Sequence, residues 1–364
     1  MRAGPPAFPP EAPTWLVVNP QARRGRESFE RAREWLGRTV NLTGAFLPVS
    51  PQEMQRLLRQ AVAQGVRRVV VGGGDGTLSR AADVLQGTDV ALAVLPLGTG
   101  NTFAWGIGLP PIFHEWLAVV SEGQVERFDL GEVQSAGRRK VFLNTATIGV
   151  SERLVELLTP EAKRRLGWLA WPLAFRRALS ATPAIWVELD YGTERDRFWT
   201  RQLVVANGRT VAGPIVAARD ASAQDGWLEV FSLGGPSPWG MARSTLHVLC
   251  GRKLGVFDSH YHKATAFALH SAPCVPLDID GDVWETTPVT FRVLPQALKV
   301  LVPGLRERGP RPHFRLFIPA HPVGRRSPAS WTSARSGGSD RGHRSRPPLH
   351  AALHVVDVAE SGRH

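Results

Sequence analysis

Residues 69–77 read Val-Val-Val-Gly-Gly-Gly-Asp-Gly-Thr, and this run constrains the fold more than any other part of the 364-residue chain. Val69, Val70 and Val71 are consecutive β-branched residues and suit a buried strand. Gly72, Gly73, Gly74 and Gly76 let the backbone turn sharply and come close to a ligand. From Thr77 onward Leu78, Ala81, Ala82 and Leu85 recur at helical spacing. A strand, a bare glycine turn and a helix start make a phosphate cradle, because free N–H groups and the positive end of a helix dipole converge on one spot. An ordinary tight βα turn draws on the same residue types. The P-loop pattern G-x-x-x-x-G-K-[ST] occurs nowhere, and the dinucleotide pattern G-x-G-x-x-G fails at Thr77 and Ser79.

The surrounding sequence alternates strand and helix. Trp15–Val18, Leu42–Leu47, Arg67–Val71 and Val90–Leu95 read as strands, and Glu27–Leu36 has helical spacing. Ser50-Pro51-Gln52-Glu53 is a helix start, with Ser as N-cap, Pro at the first helical position and Glu three residues after the cap. Such alternation predicts a parallel sheet covered by helices, with ligands at the carboxyl ends of its strands. The glycine turn, Asn19 and residues 96–101 all fall at such ends. The second half reads differently. Lys140–Thr147, Ala184–Tyr191, Phe198–Ala206, Trp227–Leu233, Lys263–Leu269, Val275–Ile279, Val289–Leu294 and Leu298–Val302 are short strand candidates, which predict an antiparallel sandwich. A helical insertion over Pro160–Leu179 interrupts them.

Bulk properties fit a two-domain globular protein, 43% hydrophobic and 21% charged. No run of apolar residues reaches the roughly 18 that a membrane span needs, and no secretory leader is legible, so a cytoplasmic location is expected. Cys250 and Cys274 predict neither a disulfide framework nor a zinc site. The net charge of +12 invites a nucleic-acid reading, but residues 304–364 hold 11 Arg against four acids, which leaves only +5 for the rest. That Pro-, Gly- and Ser-rich tail reads as disordered and basic, suited to anionic lipid surfaces, and no specific nucleic acid is expected. The organisation expected is a flexible N-terminus (1–13), an α/β nucleotide domain (14–135), a β-sandwich domain (136–303) and the tail (304–364).

Five segments line up in order: Val17-Val18-Asn19-Pro20, Gly73-Gly74-Asp75-Gly76-Thr77, Pro96-Leu97-Gly98-Thr99-Gly100-Asn101, Asp225-Gly226-Trp227-Leu228-Glu229 and Asp280-Gly281-Asp282. With them the chain, over roughly residues 14–303, resembles the diacylglycerol kinase catalytic-domain family of lipid kinases, which includes bacterial diacylglycerol kinases and sphingosine kinases. NAD kinases share the glycine turn but not the rest. The resemblance implies an N-terminal parallel-sheet α/β nucleotide domain plus a C-terminal antiparallel β-sandwich domain, ATP between them as co-substrate, magnesium as cofactor, and phosphorylation of a lipid hydroxyl, diacylglycerol being the default acceptor. It implies peripheral contact with an anionic membrane surface and allows a homodimer. For ATP it implies Asn19, Pro20, Gly73, Gly74, Asp75, Gly76, Thr77, Gly98, Thr99 and Asn101. Asp75 is implied as a catalytic magnesium-holding acid, with Asp129 in the same network, and Ser222, Asp225 and the Trp227 carbonyl as a second metal loop. On sequence alone Asp225-Gly226 is also a common hairpin turn, and Asp129 also reads as a strand-end acid.

Three departures stand out. The family's usual Asp-Gly-Glu, whose last carboxylate is the general base, is Asp280-Gly281-Asp282 here. The change shortens the side chain by ~1.5 Å, and a misplacement of ~1 Å can cost about 100-fold in rate. Asp282 remains the expected base. The usual Gly-Thr-x-Asn-Asp-Phe is Gly98-Thr99-Gly100-Asn101-Thr102-Phe103, so Thr102 replaces a carboxylate, and Arg23 stands in the first loop where a glycine is common. The insertion Lys163–Arg177 mixes cations and aromatics, as segments at a bilayer interface do and as an amphipathic helix packed on the sandwich also would. Two other activities share part of these features: a soluble NAD-kinase-like enzyme, and a catalytically silent lipid- or nucleic-acid-binding relative.

Overall fold

The computed structural model describes residues 8–22, 24–109, 112–157, 159, 170–213, 215–218, 221–249, 260–304 and 315–318. Arg23, the first part of the cationic insertion and most of the basic tail lie outside the described residues. In the first half β1 (Thr14–Val18), α1 (Gly25–Thr39), β2 (Leu42–Phe46), α2 (Pro51–Ala63), β3 (Arg68–Gly73), α3 (Asp75–Leu85) and β4 (Ala91–Pro96) alternate, followed by α4 (Thr102–Gly106) and α5 (Phe113–Glu122). The four strands are parallel in the order β2-β1-β3-β4. Their side chains alternate between two cores: Val17, Val69 and Val71 meet Met54, Leu58 and Leu78, while Leu16, Val18 and Val70 meet Phe29, Leu36 and Leu117. Burial on both faces explains why these strands read as unbroken apolar runs. Helix α2 starts as expected: the Glu53 amide donates to Ser50 Oγ at 3.1 Å and Glu53 Oε2 takes the Val49 amide at 2.7 Å. Residues 8–13, expected to be flexible, are instead fastened. The Phe8 amide donates to Gly123 O, the Pro10 carbonyl accepts from Asn41 and the Pro13 carbonyl from Arg67.

The second half adds β5 (Gln124–Ser135), β6 (Arg138–Phe142), β7 (Thr145–Gly149), α6 (Val150–Leu157), α7 (Ala170–Ala181), β8 (Ile185–Asp190), β9 (Arg195–Thr200), β10 (Gln202–Ala206), β11 (Thr210–Ala212), β12 (Ile215–Ala218) and β13 (Leu228–Ser232). After α8 (Pro238–Leu249) come β14 (Tyr261–Ala264), β15 (Ala266–Ala272), β16 (Pro276–Ile279), β17 (Asp282–Thr286), β18 (Val289–Val302) and β19 (Arg315–Ile318). A six-stranded antiparallel sheet, β14-β13-β10-β7-β16-β17, faces the sandwich half of a ten-stranded sheet that also contains the parallel strands. Phe142, Phe267 and Phe291 from one sheet and Ile148, Leu203, Leu228 and Leu277 from the other fill the layer between them. Strand β19, which pairs with β12, lies within the tail expected to be disordered; Arg315-Leu316-Phe317-Ile318 supplies the apolar residues for it.

Two kinds of difference from the sequence reading have one cause. Residues 140–147, 198–206 and 263–269, each expected as one strand, break into β6/β7, β9/β10 and β14/β15, and the two halves join opposite sheets. Chains that turn the corner of a sandwich look continuous in hydrophobicity because both halves are half-buried. Conversely, the separate strands expected at 289–294 and 298–302 are one strand, β18, with a register shift between Leu294 and Leu298 and a left-handed residue, Gln296, at φ 51°. β18 pairs with β5 along its length, with β15 in the sandwich and with β4 in the parallel sheet.

The β5–β6 hairpin delivers the chain into the site and depends on one tight pair. Gly131 faces Phe142 across the strands, and a Cβ at Gly131 would come within 2.0 Å of the Phe142 ring. Gly131→Ala is therefore expected to lower unfolding stability by about 1–3 kcal/mol through overpacking. Urea denaturation checks this, and wild-type stability in the variant would show that Phe142 relaxes freely.

Candidate active site

The carboxyl ends of β1, β3 and β4 meet at one place, and three loops there are stapled together. The Asn19 amide N–H donates to Gly72 O at 2.8 Å, its Nδ2 to Thr77 Oγ1 at 3.3 Å, and its Oδ1 accepts from the Gln21 amide at 2.9 Å. Pro20 begins the turn that follows. Helix α3 has Gly74 at its N-cap and no side-chain cap, which leaves that end with the character of an anion site. The Thr77 side chain folds back so closely over Gly73 that a Cβ there would lie 2.5 Å from it. Gly74 and Gly98 touch backbone to backbone; a Cβ on Gly98 would lie 2.5 Å from the Gly74 Cα. Asn101 adopts φ 50°, and its side chain accepts from the Gly98 amide at 2.8 Å and donates to Gly98 O at 3.0 Å. Its amide group thus shapes the 96–101 turn, while Thr99 at the tip is exposed.

Asp75 opens helix α3 and caps helix α4. Its Oδ2 accepts from the Thr102 amide at 3.1 Å, and Oδ1 from the Phe103 amide at 3.1 Å and from Asn144 Nδ2 at 3.4 Å. Thr102, the residue in place of a carboxylate, is buried and serves as a joint: its Oγ1 accepts from the Gly213 amide and its carbonyl from Thr210 Oγ1. Asn144 also ties Asp75 to Asp280. The backbone amides of Leu143, Asn144 and Thr145 donate to the Asp280 carboxylate at 2.7, 3.0 and 3.1 Å. Burial pushes the Asp280 carboxyl up to about 6 in spite of these donors, and the charge of Asp75 adds to the rise. Asp75 and Asp280 thus lie on the two sides of Asn144 beside the glycine turn, and Asp75, whose oxygens keep lone pairs beyond the two amides, is the carboxylate that would hold a divalent cation, directly or through water.

Asp282 follows on the same turn and reaches the glycine loop from the far end of the sequence. A Cβ placed on Gly76 would lie 3.5 Å from Asp282 Oδ1. Its Oδ2 is held by Arg80 Nη2 at 2.5 Å, with Lys140 Nζ at 3.5 Å. Arg80 Nη1 also donates to Gly76 O at 3.3 Å, so one guanidinium binds both the glycine turn and Asp282. Arg80, Lys140 and Asp282, with Arg139, Gln52 and Trp284, line a cleft of about 600 Å³.

Asp129 is turned elsewhere. It is buried, and its oxygens accept from the Gly226 and Gln296 amides, both at 2.7 Å, while its own amide donates to Ala223 O. It joins the 222–227 loop to the β18 bulge rather than facing the glycine turn. In that loop the Ser222 carbonyl accepts from the Asp225 amide, Asp225 Oδ1 accepts from the Trp227 amide at 3.1 Å, and Trp227 is 44% exposed. Lys263 Nζ sits 3.6 Å from Asp225 Oδ2 and 2.9 Å from Glu229 Oε1. An ammonium already lies beside Asp225, so this arrangement does not fit a divalent cation unless Lys263 moves. Among the described residues no group of three or more His, Cys, Asp or Glu side chains is arranged to hold a metal. Sequence reasoning passed over Asn144, Arg80 and Lys140. The spacing of Arg80, one helical turn beyond Gly76, was the available signal.

The Asp280 carboxyl has a sign-definite consequence for stability. Its folded value of about 6 lies above the ordinary 3.8, so the folded state holds this proton more tightly than the unfolded chain. The stabilisation is full below the unfolded value and declines as pH rises through about 6. The stability of the wild type relative to Asp280→Asn is therefore expected to fall as pH rises across this window. Urea denaturation in the presence of EDTA measures it, and a difference that grows with pH would contradict the burial account.

Comparison with known proteins places this geometry. Residues 13–133 match the model of the diacylglycerol kinase catalytic domain, and residues 145–302 that of the YegS C-terminal NAD kinase beta sandwich-like domain. The chain is 32% identical over 258 residues to "Probable lipid kinase YegS-like" of Pseudomonas aeruginosa PAO1, covering 69% of this chain and 82% of the relative. It is 30% identical over 267 residues to "Diacylglycerol kinase" of Mycobacterium tuberculosis H37Rv, with the same coverage of 69% and 82%. A crystal structure of a diacylglycerol kinase from Bacillus anthracis str. Sterne superimposes with a TM-score of 0.62 at 17% identity, covering 80% of this chain and 97% of the other, and shares the fold. The chain belongs to the diacylglycerol kinase catalytic-domain family of lipid kinases.

Proposed function

We propose that the protein transfers the γ-phosphate of ATP to a lipid hydroxyl in a magnesium-dependent reaction, with diacylglycerol as the acceptor and phosphatidate as the product. The observation that carries this reading is the meeting of Asp282 with Gly76, 206 positions apart in the chain, beside a helix terminus suited to phosphate. Phosphoryl transfer needs a positioned triphosphate, neutralised charge and a base on the attacking hydroxyl. The uncapped start of α3 and the exposed tip at Thr99 supply donors for the phosphates. Magnesium, when bound at Asp75, neutralises charge on the transferring group. Asp282 accepts the proton of the acceptor hydroxyl, and Arg80 and Lys140 fix its carboxylate. The same two cations would also offset negative charge on a phosphoryl group brought to Asp282. We place no step at the 222–227 loop. No helix among the described residues is long and apolar enough to cross a membrane, so the acceptor is met at the bilayer surface.

Incubation with γ-labelled ATP and a total lipid extract, with NAD in a parallel reaction, is the deciding experiment. Labelled phosphatidate is expected. Labelled NAD would move the assignment to the soluble kinases that share the glycine turn. Absence of any labelled product would favour the silent relative to which Thr102 points.

Asp282→Asn is expected to lower turnover by about 100-fold or more, the size of a general-base contribution, with ATP affinity nearly unchanged. A normal rate in this variant would remove Asp282 from the chemistry. Asp75→Asn is expected to abolish turnover while the protein still melts cooperatively; unchanged turnover would refute the magnesium assignment.

A further inference from the structure

Away from the cleft, the sandwich and its helices expose large aromatic side chains and arginines. Trp239, at the start of α8, is 85% exposed, and Trp199, at the end of β9, is 53% exposed. Trp199 pairs across the outer face of the sheet with Trp186 of β8. Exposed tryptophan is an uneconomical surface residue in water, and its amphipathic ring is enriched at membrane–water boundaries. One residue ties together the segments that carry them. Arg201, two positions after Trp199, donates Nε to the Pro236 carbonyl at 2.7 Å and Nη1 to the carbonyls of Leu179, at 3.2 Å, and Thr182. It therefore pins the last turn of α7 to the turn that leads into α8. Tight packing fixes that turn further: a Cβ on Gly240 would lie 2.6 Å from Gly234 O.

Helix α7 carries Arg176 and Arg177 and no acidic residue of its own, and both arginines are exposed. The sheet behaves differently, since Arg195 and Arg197 are paired with Asp190 and Glu188. On their buried sides α7 and α8 pack through Ala178, Leu179 and Met241 onto Val150, so the arginines and Trp239 belong to the opposite, outward side. Exposed tryptophan rings beside exposed arginines match the surface of an anionic bilayer, where rings enter the headgroup region and cations meet lipid phosphates.

We propose that Trp199, Trp239, Arg176 and Arg177 form the face with which the protein docks on an anionic lipid bilayer. It rests on the lipid-kinase reading for its reason to visit a membrane, but it is tested without catalysis. Full-length protein is sedimented with vesicles of phosphatidylcholine containing phosphatidylglycerol and with vesicles of phosphatidylcholine alone, in the absence of ATP. The paired variant Trp199→Ala/Trp239→Ala is expected to bind the anionic vesicles about tenfold more weakly or worse, the scale of withdrawing two ring systems from the interface. Its turnover on detergent-dispersed acceptor is expected to stay near wild type. Arg176→Glu/Arg177→Glu, at exposed helix positions, is the independent second variant and is expected to weaken binding most at low salt. Both variants keep the basic tail, so any loss reports this face alone. Unchanged vesicle affinity in both variants would overturn the proposal. So would a change in oligomeric state by light scattering without a change in vesicle affinity, which would make the face a protein contact. A protein that binds vesicles through these residues yet labels no lipid would sink the kinase reading and leave the docking face standing.

Discussion

The site hangs on one buried carboxylate. Asp280 accepts three consecutive backbone amides, from Leu143, Asn144 and Thr145, at the point where the chain leaves β6 for β7 and changes sheets. Without an acceptor there, three amides in a dry corner would be left unpaired, each at a cost of about 1–3 kcal/mol. The carboxylate thereby makes the corner possible. In return the corner orients Asn144 toward Asp75 and places Asp282 over Gly76. Asp280 itself adopts φ 49°, a conformation that suits a tight turn and is tolerated by Asp better than by most residues.

Rigidity reaches this corner through β5 and β18. Because β18 pairs with β15 at one end and with β4 at the other, a single hydrogen-bonded ribbon passes from the sandwich into the parallel sheet. Its bulge at residues 295–297 marks where it passes from one to the other, and Asp129 closes the bulge by taking the Gln296 amide. The same carboxylate takes Gly226, so the loop before β13 is located relative to the strand that joins both halves. Asp129 thus locates the 222–227 loop and the β18 bulge relative to each other, away from the glycine turn.

What was legible in the sequence follows from which interactions are local. The glycine turn, the Ser50 cap and the parallel strands were readable because their determinants lie within a few residues of one another. The corners were not, because a hydrophobic run such as 198–206 looks the same whether it stays in one sheet or turns into another. Asp280, Asn144 and Thr102 illustrate the same limit at the site. Their roles depend on amides and side chains more than 60 positions away, and no periodicity records such a pairing. Arg80 is the intermediate case: its tie to Gly76 is helical and predictable, its tie to Asp282 is not.

Arg80 also bears on how the chain manages a shorter acid on this turn. The loss of one bond from Glu to Asp leaves a carboxylate that must be brought to the glycine loop by something other than its own length. Arg80 supplies that link, with one guanidinium spanning the Gly76 carbonyl and the Asp282 carboxylate, and Lys140 approaches from the β6 side. Both cations are partly exposed, so screening keeps the worth of each contact modest. Their value lies in geometry. A planar guanidinium with fixed donor directions holds the carboxylate at a set distance from the turn, whereas a longer acid free to rotate would sample several. In this chain, the position of the short carboxylate beside the glycine turn is therefore fixed by a tether, the Arg80 guanidinium, and not by the reach of its own side chain.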